Sequence, residues 1–201
     1  MIRPALIALA LLPLAFSAAN ARTIAGYTFP EVLPQTAEHN EARLNGAAVR
    51  TMYYLVDAYV GLMYVEQPGH DAEALIQDDG YKRVVYHILV DRVSGRRIAT
   101  AMYDSMQLNL SEAEAAALND RLQTLVKMFD SKMEKGDVGY VEYLPGIGSR
   151  VVIRGEEKGI IPGKDLFDAL MRIWIGEHPV TQAFKEGVLG LDDNALKVSA
   201  E

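Results

Sequence analysis

Apolar and polar positions fall into an order of strands, helices, strands and helices. The segment LNGAAVRTMYYLVDAYVGLMYVE, Leu44–Glu66, is apolar with β-branched and aromatic content, and reads as two strands with a tight connection at Val56-Asp57-Ala58. By period two, Ala48, Arg50, Met52 and Tyr54 share one face of the first strand. On the second, Tyr59, Gly61, Met63 and Val65 share one face, and Val60, Leu62 and Tyr64 the other. Neither face is polar, so both are expected to be covered, by helices or by a buried ligand. Before this pair, residues 22–43 read as a polar lead-in with one short strand near Tyr27–Phe29. After it, Asp71 can cap a short helix through Gln77. A strand then runs over YKRVVYHILV, Tyr81–Val90.

The period changes next. Ser94 can cap a helix that carries Ile98, Ala101, Met102, Ser105 and Met106 on one face. SEAE at Ser111–Glu114 has capping-box spacing, and Leu118, Leu122, Leu125, Val126 and Phe129 continue an amphipathic helix to about Lys132. VGYVEYLPGIGSRVVIRGEEKGIIPG reads as a three-strand meander with turns at Pro145–Gly148 and Glu156–Gly159. A helix over Lys164–Ile175 stops at Gly176, and Pro179 suits the first turn of a last helix through about Leu189. The tail after Gly190 is polar. Hairpins dominate and no regular β-α-β alternation exists, which predicts an α+β fold: an antiparallel sheet with helices packed on one face.

The N-terminus changes the picture of compartment. Arg3 precedes an apolar run, Ala5–Phe16, and small residues end in Ala19-Asn20-Ala21. This is the layout of a secretory signal peptide, too short to span a bilayer, with cleavage expected after Ala21. Residues 22–201 then form a single domain, and a periplasmic or secreted location follows. There is no cysteine, so the exported chain would rely on its core. The full chain has 20 basic and 27 acidic residues, net −7; removal of residues 1–21 takes away Arg3 alone and leaves −8. No basic block exists, which argues against nucleic acid or an anionic membrane surface as partner. No later apolar run is long enough to cross a membrane.

Motifs for chemistry are few. There is no G-x-S-x-G elbow and no cysteine nucleophile. The G-x-G of PGIGSR lies between two strands, as in a hairpin. His39, His70, His87 and His178 are scattered, without metal-ligand spacing, so neither metal nor cofactor is expected. What remains is Arg50, a guanidinium inside an apolar strand and costly to bury alone. Two readings stay open. It is a structural ion-pair partner, or it is an anion site for a ligand carboxylate or phenolate. Asn109 reads as a helix-end cap or a ligand contact, and Trp174 as core or cavity wall.

LNGAAVRTMYYLVDAYVGLMYVE resembles the glycine turn, arginine and strand pair of the chalcone isomerase family. GKDLFDALMRIWIGEHPVTQAFKEGVLG, Gly163–Gly190, resembles its C-terminal helix pair. KGD and IWIG are similar to the bacterial, exported branch. The resemblance implies an open-faced β-sandwich, with a large antiparallel sheet, a helical layer over it and a ligand cleft between them. In the isomerases of the family the cleft arginine holds a phenolate nucleophile during ring closure onto an enone. A Thr on the next strand and a Tyr on a cleft helix polarise the ketone, while an Asn and a second Thr bind a hydroxyl. Carried over, Arg50 and Asn109 fit. The strand Thr falls on Tyr59. The catalytic Tyr falls on Met102, with Tyr103 one step round the helix, and the second Thr falls on Ile173, beside Trp174. The ketone-polarising pair is altered, so the resemblance points to the family's non-catalytic branch, whose members resemble fatty-acid binders. The expectation is a binding protein for a small amphipathic carboxylate such as a fatty acid. Arg50 is its anchor, Tyr59 and Tyr103 are supporting donors, Asn109 is a further contact, and Met52, Met102 and Trp174 are walls. The alternatives are an intramolecular lyase or isomerase acting on an enone or phenol, and a protein-interaction module with a filled cleft.

Overall fold

β-Branched and aromatic runs separated by glycine turns build one large sheet. The computed structural model describes residues 21–53 and 55–191. The expected signal segment, but for Ala21, the end of the polar tail and Tyr54 lie outside the described residues.

The chain opens with a hairpin, β1 (Ala21–Ile24) and β2 (Tyr27–Pro30), then a two-residue strand β3 (Val32–Leu33). The long pair is β4 (Ala42–Met52) and β5 (Val56–Val65). α1 (Ala72–Gln77), β6 (Lys82–Ile88), β7 (Arg92–Ser94), α2 (Gly95–Gln107), α3 (Glu112–Met128) and β8 (Lys132–Glu134) follow. The meander is β9 (Val138–Leu144), β10 (Gly148–Ile153) and β11 (Glu156–Pro162), and α4 (Asp165–Ile175) and α5 (Gln182–Val188) close the described fold. Seven strands form an antiparallel sheet in the order β11-β10-β9-β6-β5-β4-β3. The fold is α+β, as expected, with a layer of helices on one face.

The helix stops and starts follow from capping chemistry. Asp71 accepts from the Ala74 N–H at 2.8 Å, Ser94 from the Arg97 N–H at 3.3 Å, and Ser111 and Glu114 form a reciprocal capping box. β5 alternates between two cores, as its double-sided apolar pattern requires. Met63 and Val65 pack under the helices with Trp174, Phe167 and Leu170 of α4. Val60, Leu62 and Tyr64 face the opposite core with Ile24, Phe29, Tyr81 and Leu144. The backbone of α5 sits directly on β4. A Cβ on Gly46 would lie 2.3 Å from the Gly187 carbonyl oxygen, so only glycine allows this approach.

Several expectations are corrected. The β4–β5 connection lies between Met52 and Val56, earlier than Val56–Ala58; Tyr53 has φ of +53°, and Tyr53 and Leu55 are 85% and 89% exposed. Strand propensity places these residues in a strand, but the pairing of Met52 with Val56 leaves them to the turn. The strand expected near Tyr27–Phe29 is β2, and the lead-in adds β1 and β3 to it; the β1–β2 hairpin buries Ile24 and Phe29 against the second face of the sheet. α3 ends at Met128, and Lys132–Glu134 forms β8, which pairs with β7. The β10–β11 turn is Arg154-Gly155, both with positive φ as a two-residue type I′ hairpin requires, and so precedes Glu156. α5 starts after its cap Thr181, two residues beyond Pro179.

Candidate functional site

Between the β4–β5–β6 end of the sheet and helices α2 and α4 lies a cavity of ≈ 380 Å³. That volume is at the small end of the range for small-molecule pockets. One face of α2 supplies Ile98, Ala101, Met102 and Ser105 at i, i+3, i+4 and i+7, and α4 supplies Ile173 and Trp174. The sheet supplies Arg50, Tyr59 and Tyr86, with Met52 near the β4–β5 turn. Arg50 and Tyr59 are register partners, next to a bulge where Ala58 is the extra residue, so their side chains stand together on the helix side.

The electrostatics favour an anion. Arg50, Arg92 and Arg97 line the cavity, and no Asp or Glu does among the described residues. Arg92 is engaged by Glu134 at 3.4 Å. Arg50 donates one N–H to the Thr51 carbonyl at 2.8 Å and forms no ion pair among the described residues. The structural ion-pair reading of Arg50 therefore has no carboxylate to rest on there.

The phenols are neutral donors. Burial pushes the Tyr59 hydroxyl up to about 12, although the neighbouring Trp174 indole N–H and the Arg50 charge pull it down. Burial pushes Tyr86 well above the usual tyrosine range, and Tyr59 adds to the shift. The rings of Tyr59, Tyr86 and Trp174 form one cluster, with Tyr86 edge-on to Trp174 at 5.0 Å between centroids and Tyr59 at 5.3 Å from Tyr86. The Tyr86 hydroxyl and the Trp174 N–H are buried and have no hydrogen-bond partner among the described residues.

The structure thus brings together five of the seven candidate residues: Arg50, Tyr59, Met52, Met102 and Trp174. It does not bring in the other two. Tyr103 is rotated out of the lining and packs, partly buried, beside the main core. Asn109 spends its side chain on the fold. Its amide donates to the Ser105 and His178 carbonyls at 3.0 and 2.9 Å, and its oxygen accepts from the His178 N–H at 3.0 Å, which pins the end of α2 to the segment after α4. Sequence reasoning missed Tyr86, Arg92 and Arg97. Tyr86 was within reach of it, since an antiparallel β5–β6 pair places Tyr86 opposite Gly61 on the face that carries Tyr59.

The other face of the sheet also carries arginines, and there they are satisfied. Glu142, fully buried, receives Arg83 at 2.6 Å and Arg150 at 2.6 Å, together with the Tyr81 hydroxyl. Arg150 reaches on to Glu38 at 2.9 Å. Burial alone would raise the Glu142 carboxyl, but the bonds from Tyr81, Arg83 and Arg150 outweigh it and hold the group below the usual carboxylate range. Among the described residues no group of His, Asp or Glu side chains could hold a metal ion, and no helix is long and apolar enough to cross a membrane.

Sheet, helical layer and the cavity between them define a cleft protein of the open-faced sandwich type. The chain belongs to the chalcone isomerase-like family: the profile of that family matches residues 21–190. Among solved structures, a fatty-acid binding protein of Arabidopsis thaliana is similar, with a TM-score of 0.69 and 18% identity over 90% of this chain and 99% of that one. Comparison with curated proteins by sequence gives no match.

Proposed function

We propose that the protein is an exported, non-catalytic binding protein for a small amphipathic carboxylate, with a fatty acid as the simplest ligand, and that Arg50 is its anchor. The observation that carries this reading is a guanidinium at the wall of an otherwise largely apolar cavity, with no ion-pair partner among the described residues. A carboxylate from the ligand supplies the missing charge. It can accept two parallel N–H bonds from Arg50, with Tyr59, still protonated at neutral pH, as a further donor. Aliphatic walls from Ile98, Met102 and Ile173 take the tail. The likeness in fold to a fatty-acid binding protein supports the same reading. Export to the periplasm, as in the bacterial branch of the family, rests on the sequence pattern from Arg3 to Ala21. The open cavity speaks against a cleft filled by its own side chains.

The test is titration calorimetry of dodecanoic acid against wild type and Arg50→Met, with mass spectrometry of what co-purifies from native periplasm. Charge-assisted bidentate contacts contribute about 1.5–3 kcal/mol, so affinity is expected to fall roughly 10- to 150-fold in the variant. Equal affinity in both proteins contradicts the reading.

A further inference from the structure

We propose that the cavity contains a second polar subsite, formed by the Tyr86 hydroxyl and the Trp174 indole N–H, which takes an oxygen acceptor in the body of the ligand: a ketone, hydroxyl or ether oxygen away from the carboxylate. This rests on the reading of Arg50 as carboxylate anchor and narrows it, from any amphipathic acid to an oxygenated one.

Tyr86 is 6% exposed and Trp174 1% exposed, and both line the cavity. The Tyr86 hydroxyl has no partner among the described residues, and the Trp174 N–H, although near enough to the Tyr59 hydroxyl to pull its titration down, makes no well-aligned hydrogen bond. Two other buried tyrosines are engaged: the Tyr64 hydroxyl donates to the Pro30 carbonyl at 2.8 Å, and the Tyr81 hydroxyl to Glu142. A phenylalanine in place of Tyr86 would fill the same space without a stranded donor, so packing gives no account of the hydroxyl. An indole N–H only donates, so its partner must accept. A saturated chain offers no acceptor, and covering both donors with methylenes seals in their desolvation penalty. One ligand oxygen, with two lone pairs, can receive both.

The subsite adjoins the anchor, with the Tyr86 ring centroid 5.3 Å from that of Tyr59, but its backbone position is displaced from that of Arg50. Arg50 faces Tyr59, Tyr59 faces Ile88, and Tyr86 lies two residues before Ile88 on β6. Strand spacing and rise put the Arg50 and Tyr86 Cα atoms roughly 12 Å apart. The position of the second oxygen along the ligand chain is therefore read by a series of ketones.

The experiment is calorimetry of dodecanoic acid and of oxododecanoic acids with the ketone at successive chain positions, against wild type, Tyr86→Phe, Trp174→Phe and Arg50→Met. In wild type one ketone position binds roughly 10-fold tighter than dodecanoic acid, as a recovered buried hydrogen bond implies. In Tyr86→Phe that preference collapses, whereas in Arg50→Met it survives while all the acids weaken. If wild type binds dodecanoic acid as tightly as every oxo acid, and Arg50→Met still weakens them, the subsite is refuted and the carboxylate reading stands. If Arg50→Met changes nothing, or no acid binds, the carboxylate reading fails and takes the subsite with it. Should Trp174→Phe not fold, Tyr86→Phe decides the outcome alone.

Discussion

Arg83 and Arg150 on one face of the sheet, and Arg50 on the other, are the same chemical group in opposite situations. The first two converge on Glu142, which is fully buried and also receives Tyr81, so every charge in that cluster has a counter-charge. Arg50 stands at a cavity wall with a single backbone carbonyl at 2.8 Å and no ion pair among the described residues. A folded chain tolerates buried guanidinium groups when the fold itself supplies the carboxylate. Where it does not, the missing carboxylate is expected from outside. On the proposed function, the difference separates arginines that hold the protein together from one that holds a ligand.

The largest effect that would break this contrast is on the satisfied side. Glu142→Gln leaves Arg83 and Arg150 partly buried without their shared counter-charge, and is expected to cost about 3–5 kcal/mol. In a chain of this size that is a fall of roughly 10 °C in melting temperature. A change within a degree would mean that the cluster is not structural.

Acid titration sharpens the same point with a smaller effect. The Glu142 carboxyl is held below its ordinary value in the folded state. Its contribution is therefore present above the unfolded value, about 4.3, and is lost as pH falls through the folded one. Glu114, held at about 2 by Ser111 and Arg172, loses its own contribution below the same starting point. Denaturant melts from pH 7 down to 3 are expected to show a steeper acid decline in wild type than in Glu142→Gln, and the difference isolates Glu142. On the cavity side pH matters little between about 6 and 9, because Tyr59 stays a neutral donor until about 12. Dodecanoate affinity should be flat there and should fall only below about pH 5, as the ligand carboxylate protonates.

A null effect is expected for catalysis. The position that resembles the ketone-polarising tyrosine is Met102, which lines the cavity, while Tyr103 lies outside the lining. Loss of an aligned donor to a developing enolate removes about 3–4 kcal/mol of transition-state stabilisation by analogy with oxyanion holes. Cyclisation of a 2′-hydroxychalcone should not exceed the solution rate. Turnover that disappears in Arg50→Ala would favour the isomerase alternative.

What could be read from the sequence was what depends on near neighbours. The α2 face of Ile98, Ala101, Met102 and Ser105 follows from period 3.6, and lines the cavity. The caps Asp71, Ser94 and Ser111 follow from their side chains. The two faces of β5 follow from period two. What could not be read depends on distant partners. Glu142 meets Arg83 and Arg150 across three strands, and nothing local marks that pairing. Asn109 resembles a cleft residue until His178, 69 positions on, occupies its amide. The β4–β5 turn is made of Tyr53 and Leu55, residues whose propensity argues for strand, and only the register of the flanking strands shows them to be exposed.

The most direct test of the central claim is the thermal melt of ligand-free Arg50→Met beside its affinity for dodecanoate. A guanidinium kept for a ligand costs the empty protein something, so Met at this position should leave the melting temperature unchanged or raise it by roughly 2–4 °C, while the dissociation constant rises roughly 10- to 150-fold. A fall in melting temperature as large as that of Glu142→Gln, with dodecanoate affinity unchanged, would show that Arg50 belongs with Arg83 and Arg150 and that the cavity has no anchor.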